Sequence, residues 1–160
     1  MTMDWTNPFP AQRVASRYEA SWNFESEPRS ADEPGGAFCR IKRSCHAEAL
    51  PLVDYGLAVD PTNRVQAPGE FKVEVNVSYA PGVNVPKVNG ATVWVSYDGG
   101  GKWTKTVSRR TSNGSYEVTS QHPPISRTSG AVSLRTEAWD ENGSSVRATL
   151  YDAYLLREAK

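Results

Sequence analysis

Residues 91–107 read Ala-Thr-Val-Trp-Val-Ser-Tyr-Asp-Gly-Gly-Gly-Lys-Trp-Thr-Lys-Thr-Val, and this stretch restricts the fold more than any other. Val93, Val95 and Tyr97 alternate with Thr92, Trp94 and Ser96, the two-residue period of a strand with one buried face. Asp98 and the three glycines that follow tolerate positive φ and turn the chain back on itself. The spacing predicts a β-hairpin.

The same period recurs along the chain. Phe71, Val73, Val75, Val77 and Tyr79 alternate with Lys72, Glu74, Asn76 and Ser78; Tyr18, Ala20, Trp22 and Phe24 alternate with Glu19, Ser21, Asn23 and Glu25. Val132, Leu134, Thr136 and Ala138 alternate with Ser133, Arg135, Glu137 and Trp139, after which Asp140-Glu141-Asn142-Gly143 predicts a turn into a last strand over residues 145–156. That last alternation slips at residues 151–153, as a β-bulge would require. Residues 50–59 form a further strand that begins at an edge or kink because of Pro51, and His122-Pro123-Pro124 ends the strand before it. No helical period interrupts this series. Short strands between turns, without crossover helices, predict an all-β fold: an antiparallel β-sandwich of the immunoglobulin or fibronectin type III kind. Its single domain covers residues 17–160. Residues 1–16, rich in proline and polar side chains without period, read as a linker or the tail of an upstream domain.

Eighteen basic and eighteen acidic residues give 160 residues a formal net charge of zero, and the two signs are interspersed. A nucleic-acid partner is therefore not expected. No apolar stretch approaches the roughly 20 residues that cross a bilayer, so no membrane partner is expected either. Cys39 and Cys45 are the only cysteines. A small disulfide ring is favoured, since the spacing of the two cysteines in a Gly- and Ser-flanked loop suits one, with two free thiols as an alternative; a metal site of Cys39, Cys45 and His46 would need a fourth ligand and lacks the usual second close Cys/His pair. A disulfide would mean an oxidising compartment. The first residues after Met1 form no apolar leader, which suggests a fragment of a longer precursor.

The turn at Asp98 resembles the Asp box of sialidase-type β-hairpins, carried here by Ser96, Asp98, Gly100 and Trp103; Lys102 stands where such boxes usually have serine or threonine. The resemblance implies a structural role, with the Asp98 carboxylate accepting backbone N–H groups and Trp103 packing on the core side. On a larger scale, Trp22-Asn-Phe24-Glu-Ser26, Leu50-Pro-Leu52-Val-Asp54-Tyr55, the strand from Val93 to Asp98 with Trp103, Val132-Ser-Leu134-Arg135 and Ala153-Tyr154 form an ordered series. In that order and spacing the chain resembles the C-terminal β-sandwich domain of secreted actinobacterial subtilisin-like serine proteases. What the resemblance implies is an extracellular, non-catalytic appendage that serves stability, substrate docking or exosite contacts. The implied partner is an upstream protease domain in cis.

The residues themselves point the same way on catalysis. The Asp, His and Ser segments of a subtilisin site are missing, and His46 and His122 both read as loop histidines. No cofactor is expected, although Asp140, Glu141 and Asn142 would allow a structural calcium ion. Strand parity places Trp94 and Trp139 on the outer face of one sheet, joined by Arg135, Glu137 and Tyr151. Such a face suits a protein or polysaccharide partner, and a carbohydrate-binding module is the second functional reading. Trp22 and Trp103 are expected in the core.

Overall fold

The computed structural model describes residues 1–9, 13–26 and 48–158. Cys39, Cys45 and His46 lie outside them. Eleven strands run β1 Thr2–Thr6, β2 Arg17–Asn23, β3 Leu52–Leu57, β4 Arg64–Ala67, β5 Gly69–Ser78, β6 Val88–Ser96, β7 Thr104–Lys105, β8 Val107–Ser112, β9 Ser115–His122, β10 Ala131–Asp140 and β11 Ser145–Glu158. A single 3-10 turn, Ile125–Arg127, is the only helical element among the described residues.

The strands form two sheets that pack face to face. One has the order β3-β5-β9-β8, the other β1-β2-β11-β10-β6-β7, with β4 also paired to β11. Lettered in the immunoglobulin manner, the first sheet is A-B-E-D and the path β11-β10-β6-β7 is G-F-C-C′. The fold is the expected β-sandwich. Apart from the parallel β4–β11 pair, every pairing is antiparallel.

Alternation in the sequence becomes the two faces of each sheet. Val73, Val75 and Val77 of β5, Val93 and Val95 of β6, Leu134 and Ala138 of β10, and Val146 and Ala148 of β11 point between the sheets and are buried. Trp22 joins them and its indole Nε1 donates to the Pro51 carbonyl at 2.7 Å, so the one polar atom of a large core side chain is satisfied.

Three features differ from the expectations of sequence. Thr2–Thr6, within the stretch expected to be a linker or the tail of an upstream domain, forms a strand that pairs with β2 and widens the second sheet by one strand. The stretch was illegible because all five strand residues are exposed, leaving no buried face to impose a period. His122 is not a surface-loop residue: it ends β9, is 3% exposed, and contacts the rings of Phe71, Tyr97 and Tyr154. Tyr97 Oη lies 3.1 Å from its Nδ1, and burial lowers its pKa to about 4. Proline after it cannot donate to a ladder, so the strand stops there while its last side chain still points inward. The third difference, the position of Trp103, belongs to the binding face.

The expected bulge does exist in β11. Val132 pairs with Tyr154 and Leu134 with Leu150, so the register shifts across residues 151–153, with Asp152 at φ 51°. Before the bulge β11 pairs with β2, and after it with β4. Ser133 Oγ accepts the displaced Asp152 N–H at 3.1 Å, and the Asp152 carbonyl accepts the Ala15 N–H at 2.8 Å. The irregularity thus fixes where the N-terminal hairpin docks.

Candidate binding face

The outer face of the wider sheet takes the residues that alternate with the core. Arg135 stands opposite Trp94 on one side and Thr149 on the other; Glu137 lies between Thr92 and Arg147; Trp139 lies between Gly90 and Ser145. On β2, Glu19 is opposite Thr149 and Ser21 opposite Arg147. Trp94, Arg135, Glu137, Trp139 and Tyr151 therefore share one surface, as parity requires. Their environments differ, however, and the difference divides the face into a packed end and an open end.

At the packed end the Asp98 turn folds over the sheet. Ser96 Oγ donates to Asp98 Oδ1 at 2.7 Å and accepts the Gly100 N–H at 2.9 Å, while Asp98 Oδ1 accepts the Lys102 N–H at 2.9 Å. These bonds hold the Asp98 carboxyl below the usual carboxylate range, the Ser96 hydroxyl first among them. The lysine at position 102 takes part through its backbone, so the turn closes without a side-chain hydroxyl there. Gly100, at φ 98°, sits so close to the sheet that a Cβ would lie 2.9 Å from Tyr151 Cε1 and 3.5 Å from Trp103 Cζ2. Only glycine fits this turn over these rings.

Trp103 is consequently not a core residue. The β6–β7 register pairs Trp94 with Lys105 and Val95 with Thr104, which puts residues 103 and 105 on the outer face beside Trp94. There Trp103 is half-buried, with the Arg135 guanidinium 4.1 Å from its ring centroid. Arg135 Nε donates to Thr149 Oγ1 at 3.1 Å, and Thr149 is buried on the sheet's outer face. Tyr151 donates to Glu19 at 3.2 Å and lies 5.7 Å from the Arg17 guanidinium. Trp94, half-buried in this company, is no free platform.

The open end belongs to Trp139, which is 42% exposed. A Cβ placed on Gly90 would fall 2.4 Å from its Cζ2, 2.8 Å from Cε2 and 3.0 Å from Cη2. A point in the ring plane beyond Cζ2 would lie distinctly farther from both flanking carbons, so the glycine backbone meets the indole face-on. Beside the ring runs an open groove of about 280 Å³ lined by Ser21, Asn23, Glu137, Trp139, Ser145 and Arg147, among others. Ser21 and Arg147 also line a second groove of about 490 Å³, which continues to Arg135, Glu19 and Asp4. The wall at Asp4 exists because β1 joins the sheet, which the sequence did not disclose. Glu19, Ser21, Asn23, Arg147 and Thr149 were legible by parity with Ala20, Trp22, Val146 and Ala148, but nothing in their types singled them out.

The carboxylates of the β10–β11 turn serve the turn itself. Asp140 Oδ1 accepts the N–H groups of Asn142 and Ser144, each at 3.0 Å, and Oδ2 accepts the Tyr79 hydroxyl at 3.1 Å. Glu141 Oε1 accepts the Lys87 N–H at 2.8 Å. Their oxygens are directed at protein donors, and among the described residues no group of three His, Cys, Asp or Glu side chains converges as metal ligands would. No family model matches the chain, and no curated protein matches it either.

Proposed function

We propose that the chain is a non-catalytic accessory domain that docks a protein partner through the outer face of its wider sheet, as an appendage of a secreted subtilisin-like serine protease. The observation that carries this reading is the width of that face: six strands side by side, crossed by two adjoining grooves and bearing Trp94, Trp103, Trp139, Tyr151 and Arg135. A surface that gathers half-buried aromatic and arginine side chains around one exposed tryptophan, with a polar surround, has the composition of an interface rather than of a solvated sheet. Export into an oxidising compartment and a Cys39–Cys45 disulfide belong to the same proposal. Intact mass with and without reductant checks the bond.

Arg135 is the anchor of the docking reading. Its Nε is spent on Thr149 and its plane on Trp103, and among the described residues it has no carboxylate partner. The remaining N–H groups are available to a partner's carboxylate or carbonyls. The test is titration calorimetry of this domain against a separately expressed subtilisin-type catalytic domain of an actinobacterial protease. Association that weakens at least about tenfold on Arg135→Glu, in a variant that remains folded at the assay temperature, is the expected result. Absence of association, or equal affinity of the variant, would overturn the reading.

A further inference from the structure

The two ends of the outer face are built for different tasks. At the Asp98 end the Tyr151 and Trp103 rings are already in contact with a guanidinium and lie beneath the turn, and Trp94 is half-buried. At the other end, one face of Trp139 lies over Gly90, and the residue is 42% exposed. The groove beside it is lined by two hydroxyls, an amide and an ion pair, Ser21, Ser145, Asn23, Glu137 and Arg147, together with Trp22, Ala138 and Val146, which are buried. Arg147 Nε and Nη2 both reach Glu137 Oε1, each at 2.6 Å, so the carboxylate is held in place while Oε2 has no partner among the described residues.

We infer that the open face of Trp139 and this groove form a subsite for one neutral pyranose ring of an oligosaccharide chain. A pyranose carries a patch of C–H bonds on its flat side and hydroxyls around its rim. A bare indole face takes the first, and fixed carboxylate, amide and hydroxyl groups at its edge take the second. Glu137 Oε2 accepts from one sugar hydroxyl, Asn23 both donates and accepts, and Ser21 and Ser145 do either. A protein hot spot fits less well, because such anchors enter apolar, fully desolvated pockets, whereas the other apolar residues along this groove, Trp22, Ala138 and Val146, are buried. An anionic sugar is not favoured either, since the Glu137 and Arg147 charges cancel within the groove. The inference rests on the outer face being the working surface, and it gives that face a second kind of partner beyond the docked protein.

Gly90 supplies a test that leaves every aromatic residue in place. Gly90→Ala sets a Cβ 2.4 Å from Cζ2 and must lift the ring from the sheet. The indole N–H signals of the ¹⁵N-labelled chain are followed during titration with cellohexaose, chitohexaose and mannohexaose. Saturable binding of at least one of them that shifts the Trp139 signal is expected. Gly90→Ala and Trp139→Ala should each weaken it at least about tenfold, while Arg135→Ala changes it less than about twofold. Should Gly90→Ala fail to fold, Trp139→Ala decides alone. No saturation by any of the three up to about 10 mM overturns the subsite, as does binding that Trp139→Ala leaves intact or shifts confined to Trp94 and Trp103. Running the same preparations against the protease domain separates the two failures: retained protein docking without sugar binding removes only the subsite, and loss of both removes the working surface.

Discussion

The guanidinium of Arg135 lies 4.1 Å from the ring centroid of Trp103, on the solvent side of the wider sheet. Trp103 thus covers the sheet from outside and covers Arg135 in turn, whereas Trp22 fills the interior, 8% exposed and hydrogen-bonded to Pro51. Trp22→Ala should cost about 3–5 kcal/mol, as a large cavity does. Trp103→Ala should cost only about 1–2 kcal/mol, the loss of a partly covered ring and one cation–π contact. Equilibrium denaturation of both variants checks the ranking, and equal losses would contradict the placement of Trp103.

Ser96 is 0% exposed and is the hub of the Asp98 turn, accepting from Gly100 and donating to Asp98. Ser96→Ala leaves the Gly100 N–H without its acceptor and should lower stability by about 1–2 kcal/mol. Asp98→Ala should lower the denaturant midpoint at pH 7. Because the folded Asp98 carboxyl is held below its ordinary pKa of 3.8, that contribution is present above pH 3.8 and disappears as pH falls through the folded value. The gap between wild type and Asp98→Ala should therefore close in acid.

His122 makes the domain sensitive to mild acid. Its folded pKa of about 4 lies below the ordinary histidine value of 6.5, so the unfolded chain takes up the proton first. Stability from this residue is complete above pH 6.5 and falls as pH drops from there toward 4. By pH 5 the loss should reach about 1–2 kcal/mol, in a range where exposed carboxylates are still largely ionised. Phe71, Tyr97 and Tyr154 surround the ring and none of them changes charge in that window. Denaturant midpoints at pH 7 and pH 5 measure the slope, and His122→Gln should flatten it.

Gly114 turns β8 into β9 at φ 79°, and a Cβ there would lie 2.5 Å from the Val77 carbonyl oxygen. Neither the backbone angle nor the neighbouring strand can yield without breaking the Val77 N–H bond to the Gly114 carbonyl at 2.7 Å. Gly114→Ala should cost about 1–3 kcal/mol, read as a lower thermal midpoint. An unchanged midpoint would show that the turn relaxes freely.

Period-two alternation in residues 71–79, 91–97 and 131–139 was enough to fix the strands, the inward and outward faces and the sandwich, because a strand with one buried face must alternate. It also placed Trp94 and Trp139 outside. Alternation is a local property, and the features it missed all depend on which strand lies next to which. Thr2–Thr6 has no buried face and became a strand only by pairing with β2. Trp103 directly precedes a two-residue strand whose side is set by the Trp94–Lys105 register, and His122 is buried because Phe71, Tyr97 and Tyr154 reach it from distant parts of the chain. The same holds for the candidate site: the sequence by itself determined which residues face outward, but the contrast between a half-buried Trp94 and an exposed Trp139 was decided by tertiary structure. A turn with a glycine at position 100 folds over one end of the sheet, and at the other Gly90 lies beneath the Trp139 ring.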